Sequence, residues 1–123
     1  MLLDGPQTIQ AFFEGFIVPA YDENIVPEDA SFPRITYAYA EGDFENPVAM
    51  AVSLWDRSYA WTRISALLGS VRNAIPQGGI LLDYDGGKIW LKRGTPFAQR
   101  MSDEDDAIRR IYINLEAEFL TAE

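Results

Sequence analysis

The chain has no cysteine and no histidine. Without cysteine there is no disulfide, no thiolate metal site and no sulfur nucleophile, so stability rests on packing or on association with other copies. Without histidine, the commonest general base and the commonest metal ligand are both missing. Ser–His–Asp and Cys–His arrangements are excluded. No apolar run approaches the ~20 residues that a membrane helix requires. Met1-Leu2-Leu3-Asp4 lacks the basic and apolar regions of a signal peptide, which makes a cytoplasm the expected setting and a membrane role unexpected. Basic residues are also scarce. Ten Lys and Arg stand against 19 Asp and Glu, for a formal net charge of −9. Such a surface repels phosphate backbones, so specific nucleic-acid binding is not expected. Neither G-x-x-x-x-G-K-[ST] nor G-x-G-x-x-G occurs, which removes the familiar phosphate-cradling loops.

What is present suits one soluble domain over residues 1–123, with 48% hydrophobic and 24% charged residues. Asp4-Gly5-Pro6 opens a helix, with Pro where a missing N–H costs nothing. Ile9, Phe12, Phe13, Phe16 and Ile17 then share one helical face until Pro19. Residues 19–33 carry several prolines and the acidic pairs Asp22-Glu23 and Glu28-Asp29, the marks of a surface connection. Alternation of Ile35, Tyr37 and Tyr39, and of Val48, Met50, Val52 and Leu54, predicts two strands, over 34–40 and 47–54, joined by a loose loop over 41–46. Asp56 or Ser58 is placed to cap a second helix whose inner face is Trp61, Ile64, Leu67, Leu68, Val71 and Ile75. Asp85-Gly86-Gly87 predicts a tight hairpin between strands over 80–84 and 88–93. Gly94-Thr95-Pro96 ends the second of these, leaving 95–106 as a polar loop. From Ile108 to Phe119, strict alternation predicts a last strand. The expected class is α+β: a mixed, mainly antiparallel sheet of about five strands flanked by two helices, in the order α-β-β-α-β-β-β.

The search for site chemistry ends empty. Asp83-Tyr84-Asp85-Gly86 begins like a calcium loop, but the sixth and twelfth positions, which require Gly and Glu, are Lys88 and Gly94. Consecutive carboxylates at Asp103, Glu104, Asp105 and Asp106 cannot all converge on one ion, so this segment reads as a solvated loop or a docking surface for a basic patch. Glu14, Glu45 and Glu116 are available for two-carboxylate chemistry, yet nothing places a pair across a cleft. Trp55, Trp61 and Trp90 are expected in the core, and the arginines as solvated or locally paired groups. No catalytic residue, cofactor or metal is therefore expected, and the chain is not read as an enzyme.

The run Phe32-Pro33-Arg34-Ile35-Thr36-Tyr37, a strand ending Leu54-Trp55-Asp56, the helix after it, and a final hairpin followed by Tyr112-Ile113-Asn114-Leu115 resemble the small tail terminator (tail completion) proteins of long-tailed bacteriophages. The resemblance covers most of the chain and rests on packing patterns. It implies a homo-oligomeric ring, typically hexameric, that caps the tail tube in the virion, stops its growth and offers a surface to the head connector, after assembly in the host cytoplasm. A ring needs a heterologous interface. The loops 40–47 and 95–106 and the connection 19–33 supply the candidates: Asp43, Phe44, Glu45, Arg57, Arg93, Phe97, Arg100, Asp103, Glu104, Asp105 and Asp106. An acidic lumen would let DNA pass without sticking. Competing readings are another small neck or tail component, such as a head-closure or tube protein, and a bacterial module that binds a small ligand or a protein.

Overall fold

A computed structural model describes residues 2–41 and 46–121. The elements run α1 (Gly5–Glu14), β1 (Ala20–Asp22), β2 (Arg34–Tyr37), β3 (Val48–Arg57), α2 (Thr62–Ala74), β4 (Ile80–Tyr84), β5 (Gly87–Met101) and β6 (Ile108–Thr121). The class is α+β, as expected, but the sheet has six strands, in the order β1-β2-β3-β6-β5-β4. Only β1 and β2 are parallel; the other pairs are antiparallel.

The added strand, β1, lies inside what the sequence predicts as a connection. It is three residues long and directly follows Pro19, too short for alternation to show. Pro19 and Tyr37 carbonyls accept from Ile35 and Glu23 N–H on the β2 side. The outward carbonyls of Ala20 and Asp22 are already occupied, by Gln10 Nε2 at 2.8 Å and by Ile25 N–H at 3.0 Å.

The predicted break in β5 is also corrected. The strand runs through Gly94-Thr95-Pro96 because a bulge absorbs them: Arg93 pairs with Leu115, and the next aligned pair is Ala98 with Ile113. Proline is tolerated where the ladder is already interrupted. Asn114 Nδ2 donates to Pro96 O at 2.8 Å and pins the bulge. Gly94 is required there, since a Cβ would lie 2.8 Å from the Asn114 carbonyl oxygen. The connecting loop shrinks to 102–107.

Side-chain alternation sorts the sheet into two faces. One holds Ile35, Tyr37, Met50, Val52, Leu54, Ile89, Leu91, Ile111, Ile113, Leu115, Ala117 and Phe119, all buried, and both helices pack against it. Helix α1 contributes Ile9 and Phe13, with Phe13 stacked on Tyr37 at 5.1 Å; α2 contributes Ile64, Leu67, Val71 and Ile75. Ile17 falls outside the expected helical face, because α1 ends at Glu14 and Ile17, at φ 64°, points into solvent. Helix α2 begins later than expected. Its N-cap is Trp61, not Asp56 or Ser58, because β3 keeps pairing with β6 as far as Arg57 with Ile108. Two of the tryptophans are corrected as well: Trp55 and Trp90 are only half-buried and lie outside the core, whereas Trp61, also half-buried, packs against it.

Candidate functional site

No helix covers the second face of the sheet among the described residues; where β3 ends and β6 begins, its paving is arginine and aromatic. Phe32, Trp55 and Tyr112 lie beside Arg34, Arg57 and Arg110, which β2, β3 and β6 bring into register: Arg34 is opposite Trp55, Trp55 opposite Arg110, and Arg57 opposite Ile108. The Phe32 ring carries two guanidinium groups, Arg34 at 4.2 Å and Arg57 at 5.0 Å from its centroid. Arg110 lies 4.6 Å from the Trp55 ring and 5.9 Å from Tyr112. Each stack contributes about 0.5–1 kcal/mol at an exposed position. Trp55 Nε1 donates to Thr36 Oγ1 at 2.9 Å, and Arg110 donates to Ser53 Oγ at 3.0 Å. These large side chains lie over Thr36 and Ser53, which are buried without any helix above them.

The helix side of the same end repeats the pattern. Trp61 is flanked by Arg100 at 4.4 Å and Arg109 at 5.3 Å. Beside it, Arg63 chelates the fully buried Asp56 carboxylate through Nε and Nη2. That ion pair fastens the first turn of α2, which has no side-chain cap of its own, to the end of β3. Hydrogen bonding to Asp56, with its negative charge, holds the Arg63 pKa above the ordinary arginine value.

Electrostatically the open face is incomplete. Arg57 meets Asp105 at 3.5 Å, with both side chains about half exposed, whereas no carboxylate is paired with Arg34 or Arg110 among the described residues. Arg34 donates from Nη1 to Ala30 O at 2.9 Å, but its Nε is buried with no partner. Burial lowers the Arg34 pKa below the ordinary value, Tyr21 opposing this and the Arg57 charge reinforcing it.

The expected interface residues divide. Arg57, Arg100 and the loop Asp103, Glu104, Asp105 and Asp106 do meet at this end of the sheet. In the loop, Asp103 and Asp105 side chains accept from backbone N–H groups two residues on, and only Asp105 reaches an arginine. No group of three metal-ligating side chains gathers there or elsewhere among the described residues. Arg93 and Phe97 lie on the helix side: Arg93 donates to the Ile75 and Arg72 carbonyls at 2.6 and 2.9 Å, closing the end of α2, and stacks on Phe97. Asp43, Phe44 and Glu45 lie outside the described residues.

The arginine–aromatic array was missed because each arginine was weighed alone. A signal existed: Trp55 and Arg57, and Arg110 and Tyr112, are each two residues apart in a predicted or adjoining strand, so each pair projects from one face, and Phe32 stands two residues before Arg34 where β2 begins.

A groove of about 510 Å³ between α1 and β1 is the natural place to look for a small ligand. Leu3, Ala11 and Ile25 give it apolar walls, with Glu14 and Asp22 also in its lining. Two of its polar side chains are engaged: Tyr37 Oη donates to Gln10 Oε1, and Gln10 Nε2 donates to Ala20 O.

No family model matches the sequence, and no curated protein matches it. A solved structure described as the virion of a native gene transfer agent (GTA) particle contains a chain with a similar fold, at a TM-score of 0.61 and 16% identity, over 91% of this chain and 88% of that one.

Proposed function

We propose that this chain is a structural protein of a phage-like virion, a tail terminator whose copies close into a ring on the end of the tail tube and present a joining surface to the head. The observation that carries the reading is the fold shared, over nearly the whole length of both chains, with a chain of a gene transfer agent virion. The surface supports it: charged and aromatic groups lie at the sheet end and on an uncovered sheet face, as a protein made to contact proteins requires. Ring closure needs two different patches on each copy.

The test is light scattering coupled to size exclusion over a concentration series, with negative-stain imaging of the protein alone and with purified tail tubes. Closed rings, or rings seated on tube ends, are the expected result. Recruitment to a head connector without tubes would identify a head-closure component instead. A monomer at every concentration that also ignores tubes would overturn the reading and favour the binding module.

A further inference from the structure

Before Arg34 the side chains are charged in one sign only. Asp4, Glu14, Asp22, Glu23, Glu28 and Asp29 precede it, and no Lys or Arg does. Large apolar side chains stand in water in the same stretch, among them Leu3, 45% exposed, and Ile25, 74% exposed. The two features meet in the groove between α1 and β1, where Leu3, Pro6, Ala11 and Ile25 form apolar walls and Glu14 and Asp22 complete the lining. Register sets Asp22 opposite Tyr37, and the charges of Asp22 and Glu14 both act on the Tyr37 phenol, so the two carboxylates bear on one spot. Neither has an ion-pair partner among the described residues. Glu14 is also the last residue of α1, at the negative end of the helix dipole, and no basic residue stands in that turn.

From this we infer that the groove docks an arginine- or lysine-bearing segment of a partner protein, with the alkyl stem against the apolar walls and the cationic head at Glu14 and Asp22. The surface is separate from the open sheet face, and the inference does not rest on the ring reading. Charge decides the sign of the occupant. A cation gains from two unpaired carboxylates and a helix C-terminus, whereas nucleic acid and anionic membrane surfaces are repelled. Walls as exposed as Leu3 and Ile25 cannot enclose most of a small molecule, which a small-ligand site does. A side chain anchored by its own backbone needs no such enclosure, and Arg and Lys lay their stems along apolar surface while the charge stays at the rim. The site is also prepared: the Tyr37, Gln10 and Ala20 hydrogen bonds hold α1 to β1 and β2, so little has to be ordered on binding.

The probe is a capped pentapeptide, acetyl-Leu-Ala-Arg-Ala-Leu-amide, set against the same peptide with citrulline, a neutral isostere, in place of arginine. Isothermal titration of the full chain at low salt should show the arginine peptide binding at least about fivefold more tightly. In Glu14→Gln/Asp22→Asn, verified as folded by circular dichroism, that preference should vanish. Ile25→Ala, at a side chain mostly in water, should weaken both peptides alike. Glu104→Gln/Asp106→Asn, at the other acidic segment, should keep the preference. Equal affinity for the two peptides, no binding of either, or a preference lost only in the Glu104/Asp106 variant would overturn the proposal. So would spermidine binding as tightly as the arginine peptide, which makes the occupant a free cation, or self-association that disappears in the Glu14/Asp22 variant, which makes it a second copy. Ring formation is read separately, by light scattering of the unaltered protein, and its failure would leave this groove as argued.

Discussion

Asp56 is the one fully buried carboxylate among the described residues, and its partner Arg63 is mostly in water. The two substitutions are therefore unequal. Arg63→Ala strands a buried charge and should cost about 3 kcal/mol. Asp56→Ala frees an arginine that solvent already reaches and should cost about 1 kcal/mol. Urea unfolding of both and of the double variant checks this: the double variant should be more stable than Arg63→Ala. Tyr37 gives a second test. Burial, with the Asp22 and Glu14 charges adding, pushes its phenol from 10.0 up to about 12. A raised folded-state value means the native protein holds the proton more tightly than the unfolded chain does. The stabilisation is complete below pH 10 and is lost as pH rises towards about 12. The urea midpoint should fall across that window, with Tyr39 and Tyr84, both raised chiefly by burial, acting in the same direction.

At the level of elements, the β5 bulge is the least regular part of the sheet. Gly94→Ala sets a Cβ against backbone, which cannot swing aside, so a cost of about 2 kcal/mol is expected by thermal denaturation. The same bulge shows what was readable in the sequence. Elements with a long period stood out: β3 and β6 by alternation, α2 by its Ile64, Leu67, Val71 stripe, and the β4–β5 hairpin by Asp85-Gly86-Gly87. The elements missed or cut short depended on tertiary partners. β1 exists because β2 offers it a parallel ladder, and β5 continues past Pro96 because Asn114 on β6 accepts the irregularity. Local propensity carries no trace of either partner. The start of α2 was misplaced for a related reason: Asp56 has the chemistry of a cap, but β6 holds it in a strand and its carboxylate goes to Arg63.

For the whole molecule, the candidate surface was half legible. The end of the sheet where Arg57, Arg100 and the 103–106 loop meet was singled out from the sequence, while Phe32, Arg34, Trp55 and Arg110, which pave the open face, were not. Strand register is what assembles them, and register is invisible until the pairing is known. Arg34 and Arg110 on the open face have no carboxylate partner among the described residues, so association through that face should respond to salt. Raising ionic strength from 0.1 to 1 M shortens the screening length from about 10 to about 3 Å. The concentration at which assemblies appear in sedimentation velocity should rise accordingly. An association indifferent to salt would point to apolar contacts such as Leu81 and Met101 instead.

The filled carbonyls of β1 have a consequence for the subunit in waiting. A six-stranded sheet has two borders, and a chain that must stay dispersed until its partners arrive is at risk of endless strand-by-strand addition at both. Here Gln10 and Ile25 occupy the β1 border from within. Growth by hydrogen-bonded strands can begin at β4, while at β1 an added strand finds both outward carbonyls taken. A misstep at β4 therefore meets, on the incoming molecule's β1, a border whose outward carbonyls are already taken, which works against growth into a fibre.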